Sequence, residues 1–215
     1  MKILIVSGFL GAGKTTFIKR LARNVDQRFA ILENEYGAAG IDGARLGQNR
    51  QGTQKNVWEM TEQCICCIGK KDFAASVLTI ANVVDPEYLI VEPTGVGSLA
   101  RIIENLRQIE YERIQLLSPV TIVDVYSYRR YMAEYPELYQ DQIRSADTII
   151  VSKTEACQAE EKQRIQKFLQ EINPQAKIIT DYASTMTRED HQSLLLGGRY
   201  EKEVQDTQSG EKMPE

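Results

Sequence analysis

Short, almost wholly apolar runs recur along the chain at residues 2–6, 29–32, 88–91, 120–123, 148–151 and 177–179. They barely alternate, which predicts strands covered on both faces rather than strands with one wet side. Between them apolar residues return every three or four positions over 14–24, 71–83, 99–108, 137–145 and 159–172, and Asn173-Pro174 stops the last of these helices. Strand alternating with helix predicts an α/β fold, a mostly parallel sheet with helices on both faces. Residues 40–56, rich in Gly, Gln, Asn and Arg, follow neither period and predict a mobile loop or a short irregular hairpin. After residue 198 little remains to bury, so the expectation is one domain over 1–198 and a disordered tail over 199–215.

Composition adds limits rather than detail. The 215 residues are 42% hydrophobic and 26% charged, enough apolar material for a core without disulfides. A net charge of −4 with no dense basic cluster argues against nucleic acid as a partner. The apolar run at the start is too short for a signal sequence or a bilayer crossing, and no later run is long enough either, so the expectation is a cytoplasmic protein without membrane contact. Cys64, Cys66 and Cys67 fall within four residues. In a reducing compartment such a cluster reads as metal-binding or redox-active rather than as a disulfide framework, and Cys157, alone, reads as structural. His191, the one histidine, lies in a polar segment and is expected at the surface. Trp58 and the tyrosines between Tyr126 and Tyr139 are expected in the core or on a partner-facing surface.

The first apolar run leads straight into Gly8-Phe9-Leu10-Gly11-Ala12-Gly13-Lys14-Thr15 and then a helix, which matches G-x-x-x-x-G-K-[ST] in the context its chemistry requires. Gly11, Ala12 and Gly13 let backbone amides curl around phosphates, and the helix N-terminus adds its positive end. Lys14 reaches the terminal phosphates, Thr15 can ligate Mg²⁺, and Thr16 follows at the α-phosphate. Such a site also needs an acid at the end of a neighbouring strand. Two residues qualify, Glu92 in Tyr-Leu-Ile-Val-Glu-Pro-Thr-Gly and Asp124 in Thr-Ile-Val-Asp. Glu92 is preferred because Gly95, three residues on, can offer a backbone amide to a γ-phosphate, whereas Asp124 also suits a helix cap.

Taken together, GFLGAGKTT, Glu33-Asn34-Glu35-Tyr36-Gly37, Cys64-Ile65-Cys66-Cys67, Glu92-Pro93-Thr94-Gly95 and the segment from Asp147 to Glu155 resemble the metallocentre-assembly GTPases, in particular their CobW-like branch related to the hydrogenase and urease nickel-insertion GTPases. The resemblance runs from Lys2 to about Ser184. It implies a P-loop domain that binds and hydrolyses GTP with Mg²⁺ and acts as a metallochaperone or insertion factor for a client metalloenzyme or corrinoid protein. It also implies that Cys64, Cys66 and Cys67 bind Zn²⁺ or another transition metal, with water, Glu35, another side chain or a second copy of the chain completing the shell. Asp42 stands where the family places a switch aspartate, a candidate for contact with Mg²⁺-bound or attacking water. Lys14, Asp42 and Glu92 are thus the candidate catalytic set, and Thr15, Asp42 and Glu92 the candidate Mg²⁺ set.

Three departures accompany the resemblance. The family's guanine-reading Asn-Lys-x-Asp is here Ser152-Lys153-Thr154-Glu155. Glu155 keeps the carboxylate one methylene further out, Lys153 can lay its stem over the base, and the asparagine amide that helps hold the phosphate loop is gone. The family's Asp-Pro after the Glu-x-Thr-Gly glycine is replaced by Val96-Gly97-Ser98. The chain also stops soon after the last apolar run, whereas relatives of this kind commonly carry a further C-terminal domain, so a nucleotide domain nearly alone is expected. Other function classes remain: a non-catalytic nucleotide-sensing module regulating a corrinoid or metal enzyme, and a small-molecule P-loop kinase, against which the absence of a basic lid segment counts.

Overall fold

The computed structural model describes residues 1–25, 27, 29–33, 57–61, 70–197 and 200. In chain order the elements are β1 (Lys2–Ser7), α1 (Lys14–Asn24), β2 (Phe29–Glu33), β3 (Val57–Thr61), α2 (Lys70–Val83), β4 (Tyr88–Glu92), α3 (Leu99–Arg107), β5 (Gln115–Leu116), β6 (Val120–Asp124), α4 (Tyr128–Glu134), α5 (Pro136–Arg144), β7 (Thr148–Ser152), α6 (Ala159–Ile172), β8 (Lys177–Ile179), α7 (Tyr182–Thr185) and α8 (Arg188–Leu196). Among the described residues the strands form one eight-stranded sheet in the order β3-β2-β4-β1-β6-β7-β8, with β5 paired to β1 off that path. Every pairing between these strands is parallel.

Parallel strands connected by helices are covered on both faces, and the strand residues divide between the faces with period two. Ile3 and Ile5 of β1 pack with α2 and α3 through Val77, Ile80, Ile102 and Leu106. Leu4 and Val6 pack on the other face with Phe17, Ile18 and Leu21 of α1 and Leu195 of α8. A third cluster joins Val123, Ile149 and Val151 to Ile143 of α5 and Ile165 and Leu169 of α6. The α/β expectation therefore holds, with helices on both faces. β1 is central: the chain fills the sheet on its β4 side first and crosses to its β6 side afterwards. In doubly wound folds ligands bind outside the carboxyl ends of the strands at such a switch point.

Five elements escape the apolar pattern. β3 is an edge strand and mixes Glu59 and Thr61 with its apolar residues. β5 has two residues, and α4, α7 and α8 are short. Trp58 lies on β3. The α8 case overturns the expectation for His191, which is 0% exposed rather than at the surface. Thr187 and Asp190 form a reciprocal capping box that starts α8 and turns His191 and Leu195, four residues apart, inward. The His191 ring stacks on Phe17 with centroids 6.4 Å apart, and its Nδ1 lies 2.6 Å from the Thr187 carbonyl. Tyr200, which the sequence reading puts in the tail, is also buried. Its N–H donates to Leu116 O at 2.9 Å, and the Arg107 guanidinium sits 5.1 Å above its ring.

Asn173, read from sequence as a helix stop, also secures α5. Its Nδ2 donates to Ile143 O and Ala146 O, both at 2.8 Å, and to Arg144 O at 3.2 Å, gathering the carbonyls where α5 ends. Asn173→Ala removes the amide that these carbonyls share, and the expected loss is about 2 kcal/mol of unfolding free energy, to be measured by urea denaturation at neutral pH. A loss indistinguishable from zero would show that water replaces the amide.

Candidate nucleotide-binding site

β1 ends at Ser7 and the chain turns through residues 8–13 into α1. Gly8 cannot be anything larger: a Cβ there would lie 2.4 Å from the Ile122 carbonyl oxygen of β6, and its φ is 142°. Gly11 (φ 72°) and Gly13 (φ 99°) complete the turn, and Ala12 N–H donates back to Phe9 O at 3.1 Å. The first turn of α1 holds no acidic residue, so no carboxylate of that turn competes for its open amide ends. Thr16 is exposed on the same turn. The Lys14 ammonium is 3.4 Å from Phe9 O. Burial lowers its pKa, and the Glu92 carboxylate partly restores it.

Glu92 is the last residue of β4, and the β1–β4 register, from Lys2 opposite Tyr88 to Ile5 opposite Val91, brings it level with the loop. The Thr15 hydroxyl is shared between the two Glu92 carboxylate oxygens, at 3.0 and 3.1 Å. These are hard oxygen donors at the foot of an anion-binding loop, a set suited to Mg²⁺. Gly95 lies directly on the loop: a Cβ there would come 2.4 Å from Leu10 N and 3.0 Å from Leu10 Cα.

Asp124, the other acid considered, belongs to a different arrangement. It is 7% exposed, accepts from Tyr126 N–H and the Ser127 hydroxyl, both at 2.9 Å, and pairs with Lys153 Nζ at 2.7 Å. Lys153 itself has a left-handed backbone (φ 61°). Its ammonium is therefore committed to Asp124, which fixes where its stem runs. Glu155 is exposed in the turn that follows. Ser152 corrects one expectation drawn from the missing asparagine. Its hydroxyl donates to Ala12 O at 2.6 Å, so the shorter side chain still ties β7 to the phosphate loop.

Three features of the site are not legible in its motifs. Phe9 is enclosed by Tyr131, Tyr139 and Tyr135, at centroid distances of 4.6, 5.0 and 5.9 Å. The Tyr131 hydroxyl donates to Leu10 O at 3.0 Å. Gln142 reaches the Gly95 and Gly97 carbonyls. The four-residue spacing of Tyr131, Tyr135 and Tyr139 is a sequence signal that could have pointed to the tyrosines. Cys157, half-buried, packs beside the third core cluster with its Sγ 3.5 Å from the Tyr126 hydroxyl. Asp42, residues 34–37 and Cys64, Cys66 and Cys67 lie outside the described residues, as does the segment 40–56. The topology does place their starting points. Glu33 ends β2 opposite Glu92, and Thr61, three residues before Cys64, ends β3 opposite Glu33.

A parallel sheet whose central strand feeds a glycine loop, a lysine and a helix, with an acid from the adjacent strand on the loop threonine, defines a P-loop nucleotide-binding protein. The chain belongs to the CobW/HypB/UreG family: the model of that family's nucleotide-binding domain matches residues 2–180. It is 30% identical over 178 residues to the zinc chaperone YeiR of Escherichia coli, covering 81% of this chain and 53% of YeiR. It is 27% identical over 194 residues to the zinc chaperone CobW of Pseudomonas aeruginosa, covering 77% of this chain and 52% of that protein. It thus spans about half the length of these curated relatives. Zn(II)-bound YjiA GTPase from Escherichia coli superposes with a TM-score of 0.63 at 23% identity, over 87% of this chain and 58% of YjiA, a likeness of fold.

Asp124 provides a test of the arrangement around Lys153. Burial alone would raise its pKa, but the Lys153 ammonium, the Tyr126 N–H and the Ser127 hydroxyl outweigh burial and hold it below its ordinary 3.8. A depressed carboxyl contributes stability that is complete above its ordinary pKa and is lost as pH falls through the folded value. Asp124→Asn is therefore expected to be less stable at neutral pH and to show a shallower loss of stability below about pH 4, read by denaturant titrations across pH. Parallel curves for the two proteins would contradict this.

Proposed function

We propose that this chain binds GTP with Mg²⁺, hydrolyses it slowly, and uses that cycle to handle a transition metal, with zinc first, or a metal cofactor for a client metalloenzyme or corrinoid protein in the cytoplasm. The observation that carries the nucleotide half is the Thr15 hydroxyl on both Glu92 oxygens at the mouth of the loop. Thr15 and Glu92 would hold Mg²⁺, which when bound neutralises charge on the β- and γ-phosphates. Lys14, already buried at the loop and only partly compensated by Glu92, regains a full counter-charge from a terminal phosphate. Residues 13–16 offer amides to the α- and β-phosphates, and Glu92 or Asp42 orients the water. Glu155 reads the base beside Lys153, whose position the Asp124 pair fixes.

The metal half rests on Cys64, Cys66 and Cys67, whose thiolates suit Zn²⁺ and other late first-row ions. It is supported by the names of relatives, among them the zinc-regulated GTPase metalloprotein activator 1 of Dictyostelium discoideum, 25% identical over 218 residues, covering 83% of this chain and 45% of that protein. The cysteines follow β3, whose end is two strands from Glu92 at the same sheet edge, so nucleotide state and metal loading have a short route to one another. A second copy of the chain or the client completes the metal shell and the catalytic site.

Calorimetric titration of the protein with GTP and with ATP, both with Mg²⁺, tests the nucleotide half. GTP is expected to bind at least about tenfold more tightly than ATP, and Glu92→Gln to abolish most of the Mg²⁺ dependence. Equal affinities would mean that Glu155 does not select guanine. Replacement of Cys66 and Cys67 by serine is expected to remove one equivalent of tightly held Zn²⁺ in equilibrium dialysis while GTP affinity stays within about twofold. Retention of the zinc by that variant would sink the metal half.

A further inference from the structure

The segment that follows Glu92 is not held only by its own turn. α5 presents two consecutive residues to it. Asp141 Oδ2 accepts from Leu99 N–H at 2.7 Å and Ala100 N–H at 3.4 Å, so it caps α3 from another helix, alongside the Ser98 hydroxyl that accepts from Arg101 N–H. Gln142, 1% exposed, donates from Nε2 to Gly97 O at 2.9 Å and Gly95 O at 3.2 Å. Its own backbone carbonyl accepts from the Thr121 hydroxyl of β6 at 2.9 Å, which ties this part of α5 to the sheet. The amide orientation is dictated, because Oε1 toward two carbonyls would set acceptor against acceptor. Gln142 Oε1 is then buried with no hydrogen-bond partner among the described residues.

Three residues earlier on α5, Tyr139 packs edge-on against Phe9 of the phosphate loop, at 5.0 Å. Positions three apart share a helix face. One face of α5 therefore touches both the phosphate loop, through Tyr139, and the Gly95–Gly97 turn, through Gln142. Gly95 in turn lies against Leu10 N.

We propose that Asp141 and Gln142 are positioning residues for triphosphate recognition: they hold residues 95–100 against the phosphate loop before the nucleotide arrives, and so set how strongly a triphosphate is preferred over a diphosphate. The proposal rests on reading residues 8–15 and Glu92 as a Mg²⁺-triphosphate site. A diphosphate fills the loop and the α1 N-terminus, whereas only a γ-phosphate reaches the backbone at Gly95. Holding that backbone in place beforehand lowers the ordering cost of triphosphate binding and leaves diphosphate binding alone.

The test is calorimetric titration of wild type, Gln142→Met, Asp141→Ala and Asp141→Asn with GTPγS and separately with GDP, each with Mg²⁺, after thermal melts establish that the variants fold. Methionine keeps the volume of Gln142 without its donors, and asparagine keeps an acceptor at 141. Gln142→Met and Asp141→Ala are expected to weaken GTPγS about tenfold and GDP by less than about twofold, with Asp141→Asn near wild type. Equal losses for both nucleotides, or no loss for either, would overturn the proposal. If Gln142→Met does not fold, the Asp141 pair decides it by the same criterion. Failure of the wild-type chain to bind either nucleotide would overturn the site reading itself, and this proposal with it.

Discussion

The parallel register of β1 against β4 is the constraint on which the rest of the molecule turns. It makes β1 a strand buried on both faces, with Ile3 and Ile5 in one helix layer and Leu4 and Val6 in the other. It also ends both strands at one edge, so the glycine loop after Ser7 and the carboxylate of Glu92 emerge side by side. A shift of one residue would send every β1 side chain to the wrong face, so the apolar pattern that builds the core also enforces the geometry of the site. The contact between Thr15 and Glu92 is the local expression of that register.

Around this pair the phosphate loop is supported from three sides by residues that do not belong to its motif. β6 presses on it at Gly8, where only a hydrogen fits beneath the Ile122 carbonyl. β7 reaches it through the Ser152 hydroxyl. α4 and α5 enclose Phe9 in tyrosine rings and take the Leu10 carbonyl through Tyr131. A loop whose amides must point at a phosphate gains from being over-determined in this way, since a donor already in place has little ordering left to lose on binding. The turn after β7 follows the same logic. Lys153 is held by Asp124, itself held by the turn at Tyr126 and Ser127, so the turn is braced by charge as well as by the strand that precedes it.

Much of this could be read in the sequence, and for identifiable reasons. Strands buried on both faces must be continuously apolar, which is why β1, β2, β4, β6 and β7 stand out. β3 escapes because Glu59 and Thr61 interrupt its apolar residues. Glycine and lysine spacing announced the phosphate loop because backbone curvature and phosphate charge leave few alternatives. His191 misled because polar neighbours such as Arg188, Glu189 and Asp190 suggest a wet segment, whereas the Thr187 capping box winds them into a helix whose other face meets Phe17.

By itself the sequence determined the layer architecture, the loop that cradles phosphate, the cysteine cluster and the family to which they point, because each is written in local spacing or in a run of one kind of side chain. The tertiary fold set Glu92 against Thr15 and Asp124 against Lys153, tied Ser152 to the phosphate loop, and brought Asp141 and Gln142 onto the turn after Glu92. Those outcomes depend on which strands lie side by side and which helix face turns inward. Contacts between residues 29 to 140 positions apart leave no periodic trace in the chain.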